Sequence, residues 1–347
     1  MTDKVVLLAG RTLDKVVPAI RSGRLRAVPT DLRHLDPESC ACRTSELMSI
    51  NLGPLARFVG ATEADPLCLG VSSPELRRKV RGFEFSLFPE EFPQGTLMAI
   101  SPNILVPSFA CYFLLKARSL DFEELLLLGM ELCGGYAHEV PGMGGSRCEF
   151  LVEPALSLAD LKDYLKSADG LTGVVHSRTV ANWLMEGSCS PQESILALEQ
   201  YLKPMRGGRG YPKPTLNPDV EVPAELRHLT ARDTFRPDIY WNGALDLEYD
   251  GGYHNDPSQV EKDKARVADI QALGIPVIQA TRLSLSSCER AELLGRQVGK
   301  ALESSLGRSM GRRLKRLDDP ELRALRDSLH LKLKRIACGF ERDISAR

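Results

Sequence analysis

Phe235-Arg-Pro-Asp238-Ile-Tyr-Trp-Asn242-Gly-Ala-Leu-Asp246-Leu-Glu248-Tyr-Asp250-Gly251 is the stretch on which the fold turns. Phe235, Ile239 and Trp241 alternate with Arg236, Asp238 and Tyr240, a period of two that predicts a strand. Asn242-Gly243 signals a hairpin. Beyond it Leu245, Leu247 and Tyr249 alternate with Asp246, Glu248 and Asp250. Side chains two apart on a strand share a face, so these three carboxylates point one way while the leucines pack inward. Such a face is either solvated or neutralised. A hard divalent cation, Mg²⁺ or Mn²⁺, takes oxygen ligands, and Asp238 on the neighbouring strand can add one. The register matters. A two-residue Asn242-Gly243 loop pairs Trp241 with Ala244 and sends Asp238 to the face opposite Glu248. A shared site requires an odd loop or a bulge, for instance Tyr240 opposite Ala244.

Working outward, residues 258–273 form a helix stopped by Gly274, and Ile275-Pro-Val-Ile-Gln-Ala-Thr281 returns as a strand. The predicted order is an α/β one, with strands 244–250 and 275–281 parallel neighbours joined by the helix. Upstream, Ser190-Pro-Gln-Glu193 opens a helix with Ile195, Leu198 and Leu202 on one face. Ser190 and Glu193 have capping-box spacing, in which the glutamate returns to the Ser190 N–H. The connector Arg206-Gly-Gly-Arg209-Gly-Tyr-Pro212 reads as a flexible loop whose two arginines either meet phosphate or lie in solvent.

Taken in order, Arg236-Pro-Asp238, Leu247-Glu-Tyr-Asp-Gly251, His254, Glu261-Lys-Asp-Lys-Ala-Arg266 and Leu273-Gly-Ile-Pro-Val-Ile-Gln-Ala-Thr281 resemble the restriction-endonuclease-like PD-(D/E)xK superfamily. The branch is the one similar to very-short-patch repair endonucleases and their bacterial relatives. The resemblance spans residues 186–285, with Ser190–Ser194 and the Gly-Gly-x-Gly connector similar to the opening helix of such proteins. It implies a restriction-endonuclease-like core, a mixed sheet flanked by helices, and a metal-dependent endonuclease cutting DNA in repair or phage defence. The alternative is a nuclease fold that binds nucleic acid or a partner protein without cutting, as a defence or toxin–antitoxin regulator. By the resemblance Asp238, Glu248 and Asp250 are metal ligands, His254 is a general base or phosphate-facing group, and Glu193 is a helix glutamate contributed to the site. One departure stands out: the lysine place of the pattern is taken by Asp250, leaving Lys262 or Lys264 on the next helix as substitute cations.

The rest of the chain bounds this reading. With 347 residues, two domains are expected. A net charge of −1 excludes a whole-molecule field for nucleic acid, so any basic surface must be local. One candidate is Arg308–Arg335, where ten Lys/Arg face four Asp/Glu. Arg312, Arg313, Lys315 and Arg316 are its nucleic-acid candidates, and Asp319-Pro320-Glu321 starts a helix with a stripe of Leu322, Leu325, Leu329, Leu333 and Ile336. The nine cysteines contain no CxxC pair and read as reduced thiols of a cytoplasmic protein. No apolar run approaches a membrane span.

Residues 1–150 read as mainly helical, offering a homodimer or partner surface but no catalytic constellation. Helices are expected over 11–25, 107–118 and 120–134, the last with Asp121 as N-cap. The helix, Gly23 and short strand at the start fit a winged-helix element or a plain packing helix. Residues 40–105 are turn-rich, Pro141-Gly-Met-Gly-Gly145 is a loop, and His34 and His138 lack evident partners. Residues 151–185 form a helical connector, 186–285 the nuclease-like domain, and 286–347 a basic helical extension.

Overall fold

The computed structural model describes residues 4–32, 35–88, 92–138, 148–251 and 257–337, with backbone alone at 257–260, 262, 263 and 308. The chain divides into two units, Met1–Leu132 with Ala137–Leu184, and Cys133–Tyr136 with Met185–Arg347. The helices expected at 151–185 thus belong to the first unit and the basic extension to the second.

The first unit is not mainly helical. It contains β1 (Val6–Leu8), β2 (Val28–Pro29), β3 (Leu67–Val71), β4 (Phe83–Leu87), β5 (Leu97–Ser101) and β6 (Ile104–Pro107) in one sheet, ordered β2-β5-β6-β1-β3-β4. Proline punctuation hid these strands. Pro66 immediately precedes β3 and Pro102 sits in the β5–β6 turn, so the prolines mark strand ends rather than broken helices. β3 is buried along its whole length and shows no alternation to read. The unit also holds α1 (Leu13–Arg21), α2 (Thr44–Met48), α3 (Gly53–Phe58), α4 (Phe109–Lys116), α5 (Phe122–Leu132), α6 (Leu158–Ser167) and α7 (Val174–Ala181), and β7 (Tyr136–His138) pairs with β8 (Cys148–Phe150) in a separate ribbon. Asp121 caps α5 as expected, its Oδ1 accepting from Glu124 N at 3.1 Å. Strand β2 pairs with β5 at the sheet edge, so the start of the chain is not a free-standing wing. His138 does have a partner: its Nδ1 lies 2.6 Å from Glu131 Oε2. His34 and the Pro141–Gly145 loop lie outside the described residues.

The second unit runs α8 (Pro191–Tyr201), β9 (Thr215–Leu216), β10 (Val220–Glu221), β11 (Thr234–Phe235), β12 (Ile239–Tyr240), β13 (Asp246–Asp250), α9 (Pro257–Ala272), β14 (Val277–Thr281), α10 (Cys288–Leu306), α11 (Arg308–Lys315) and α12 (Pro320–Ala337). Its four-stranded sheet is ordered β14-β13-β12-β9. β13 and β14 are parallel, from Asp246 opposite Val277 to Asp250 opposite Thr281, and α9 joins them. β12 is antiparallel to both β13 and β9, so the sheet is mixed. The run from Phe235 to Trp241 is two strands, not one. Thr234–Phe235 pairs with β10 in a separate ribbon, and the chain changes partners around Pro237, which cannot donate a ladder hydrogen bond.

The C-terminal helices are bound to α8 through a buried charge network. Arg209 donates to the carbonyls of Glu199 and Ala291 and lies 3.6 Å from the Glu199 carboxylate and 3.5 Å from that of Glu292. Arg326 forks onto Glu292 at 2.9 and 3.2 Å, and His330 Nδ1 lies 2.6 Å from Glu199 Oε1. Leu329 and Leu333 of the predicted stripe are buried beside them, whereas Leu325 is exposed.

Candidate functional site

The hairpin between β12 and β13 fixes the site. Ile239 pairs with Leu247 and Tyr240 with Asp246, so the next pair outward sets Asp238 opposite Glu248. The loop has three residues, with Trp241 N donating to Leu245 O at 2.9 Å and Ala244 N to Trp241 O at 2.8 Å. Both Asn242 (φ 36°) and Gly243 (φ 79°) take left-handed backbone, which short hairpin loops require. The offset needed to bring Asp238 and Glu248 to one face is therefore present, through Trp241 opposite Leu245 rather than Tyr240 opposite Ala244. Asp238 also holds the strand ladder, its Oδ2 accepting from Tyr249 N at 2.8 Å.

β13 lies between two strands and is buried on both faces, not solvated on one. Leu245 and Leu247 are fully buried, but so is Asp246 at 0% exposure, with Glu248 at 5%. Only Asp250, at the strand end, is exposed. Neither carboxylate oxygen of Asp246 accepts from an N–H or hydroxyl donor among the described residues, and its polar neighbour is the Glu248 carboxyl. Burial first, then the negative charge of Glu248, pushes its pKa up to about 9.

Glu193 joins this group from the first turn of α8. Ser190 caps the helix as expected, accepting from Glu193 N at 3.1 Å. The glutamate does not return to the Ser190 N–H. Its Oε2 accepts from Cys189 N at 2.9 Å and from Asn217 Nδ2 at 2.7 Å. Asn217 in turn donates its own N–H to Asp238 O at 3.0 Å, and Arg236 Nε donates to Asn217 O at 2.9 Å. Glu193 is 7% exposed, and burial followed by the charge of Asp238 raises its pKa to about 7. Burial also raises Asp238 and Glu248, against the opposing pull of Arg266.

Arg266 is the cation that sequence reasoning missed. From the middle of α9 its guanidinium forks onto Glu248, with both nitrogen–oxygen distances 2.5 Å, and Nη1 also donates to Arg236 O at 3.3 Å. Its spacing carried the signal: Arg266 lies one turn beyond Lys262, and a guanidinium matches a carboxylate two-pronged where an ammonium cannot. Lys264 is exposed, and the Lys262 side chain and His254 lie outside the described residues.

The structure thus brings together Glu193, Asp238, Asp246 and Glu248, with Arg266 between Glu248 and solvent. Their donors are all carboxylate oxygens, the set a hard divalent cation prefers, and no donor among the described residues reaches the buried Asp246 oxygens. Among the described residues, no three His, Cys, Asp or Glu side chains are arranged as a metal-binding group. The guanidinium of Arg266 supplies the positive charge at Glu248.

The nucleic-acid candidates separate by burial. Arg209 is 4% exposed inside the α8–α10–α12 network, so it is a core residue and not a phosphate contact. Its connector is packed rather than loose: a Cβ on Gly208 would lie 2.0 Å from Leu202 O. Arg206, Arg312, Lys315 and Arg316 are exposed, while Arg313 is half-buried and donates to Gly210 O. The described cysteines are free thiols. Among the described residues no helix is long and apolar enough to cross a membrane. The chain matches no family model, no curated protein and no solved structure.

Proposed function

We propose that the second unit is a metal-dependent endonuclease acting on DNA phosphodiesters, with a restriction-endonuclease-like core. The observation that carries this reading is the set of buried carboxylates, Glu193, Asp238, Asp246 and Glu248, drawn from α8, the β12 entry and β13. Burying four acidic groups beside one guanidinium is costly unless protons or a cation neutralise them. Asp238 and Glu248 would hold Mg²⁺ or Mn²⁺, with Asp250 at the exposed strand end as a further ligand. When bound, such an ion supplies charge stabilisation to a phosphate and acidifies water.

The protein's own groups do the rest. Asn217 and the Cys189 N–H orient the Glu193 carboxylate, and its pKa of about 7 suits it to accept a proton near neutral pH. Asp238 is fixed by the Tyr249 N–H. His254 is assigned a general-base or phosphate-facing role on the resemblance. Arg206, Arg312, Lys315 and Arg316 would contact the nucleic-acid backbone.

A second reading, a nuclease fold that binds without cutting, is favoured by the Arg266 fork on Glu248 and by Asp250 in the lysine place. Purified protein incubated with supercoiled, linear and single-stranded DNA in Mg²⁺ or Mn²⁺ decides between them. Cleavage lost in Asp238→Ala supports the first reading. Metal binding without cleavage of any substrate supports the second.

A further inference from the structure

We infer that Arg266 is an exchangeable counter-ion, which neutralises Glu248 in the metal-free protein and gives it up when a divalent cation binds the carboxylate group. The inference rests on the metal-binding reading above and deepens it.

Three observations carry it. The first is the fork itself: Arg266 takes both oxygens of Glu248 at 2.5 Å, leaving no unoccupied oxygen on the side the guanidinium faces. A cation and this guanidinium therefore compete for the same carboxylate. The second is what lies behind the pair. Asp246 is fully buried beside Glu248, and neither of its oxygens accepts from a donor among the described residues. An ion pair kept for stability alone would have its neighbouring polar atoms satisfied. Here one monovalent cation faces several carboxylates and makes no hydrogen bond to Asp246, which is the environment a divalent ion answers.

The third is access. Glu248 is 5% exposed, whereas the Arg266 side chain is 22% exposed, so the guanidinium stands on the solvent side of the pair. It projects from a helix whose neighbouring Lys264 is already in solvent. Its other hydrogen bond among the described residues, to Arg236 O at 3.3 Å, is long and readily exchanged for water. Arg266 can therefore leave without unfolding β13.

The test is calorimetric titration of the full chain with Mn²⁺, comparing the parent, Arg266→Gln and Arg266→Lys. Competition predicts Mn²⁺ binding at least tenfold tighter in R266Q. R266K keeps the charge but cannot fork, so it falls between the two and decides the question should R266Q not fold. A parent that binds Mn²⁺ while the variants bind no more tightly would overturn the counter-ion role and leave the metal site standing. Failure of the parent and both variants to bind would overturn the metal reading, and this inference with it.

Discussion

Asp246 and Glu193 hold protons that the unfolded chain has already released. Asp246 rises from 3.8 to about 9 and Glu193 from 4.5 to about 7 on folding. A raised acid is protonated in the native state while its unfolded counterpart is ionised, so the native state binds more protons and stability falls as pH rises. The metal-free protein should therefore lose stability from about pH 4 to pH 7 through both groups and on to about pH 9 through Asp246, at up to roughly 1.4 kcal/mol per pH unit for each. Urea denaturation across that range measures it. Asp246→Asn, which ionises in neither state, should flatten the loss across the whole range and be more stable than the parent at pH 7. A variant as pH-sensitive as the parent would show that Asp246 is not the buried acid.

Asp238, Glu248 and the Ser190–Glu193 pair were legible in the sequence because each belongs to a local pattern. Arg266 was not. Its partner lies 18 residues away on a different element, so the pairing exists only once α9 is laid beside β13. Arg209 misled for the converse reason. Glycine neighbours suggested a mobile surface arginine, but those glycines permit close packing around a core residue.

At the scale of elements, the β12–β13 hairpin decides whether the carboxylates meet. The alternation and the turn residues were readable, and so was the need for an odd loop. What the sequence did not settle was which of the odd registers forms, since the sheet partners of β12 make that choice. Removing Ala244 would leave Asn242-Gly243 as a two-residue loop that still pairs Trp241 with Leu245, so Asp238 stays opposite Glu248. The deletion variant should then keep its Mn²⁺-dependent rise in melting temperature, which a thermal-shift titration would detect; a lost rise would mean that the hairpin register does not set the site. The α8–α10–α12 network makes a second prediction. A Cβ on Gly295 would lie 1.7 Å from Arg209 Nε, so Gly295→Ala must displace an arginine that faces the Glu199 and Glu292 carboxylates. Overpacking together with a disturbed buried charge should cost about 3 kcal/mol in chemical denaturation. A loss under 1 kcal/mol would show that the network is loose.

Across the whole molecule, the two units differ in how far pattern could reveal them. The second combines local motifs with a strand–helix–strand order, and its mixed sheet follows from them. The first holds a six-stranded sheet whose short strands are separated by prolines, and one of them is buried on both sides, so periodicity had little to show. In the second unit a cation should bind the folded protein and not the unfolded chain. At a hundredfold excess over Kd such binding adds about 2.7 kcal/mol, a rise of several degrees in melting temperature. The most direct test is therefore the melting temperature of the parent and of Asp238→Asn, with and without saturating Mn²⁺ at pH 7.5. The account predicts a rise of several degrees for the parent and little or none for D238N, with both folded in the absence of metal. No rise for the parent, or the same rise for both, would contradict it.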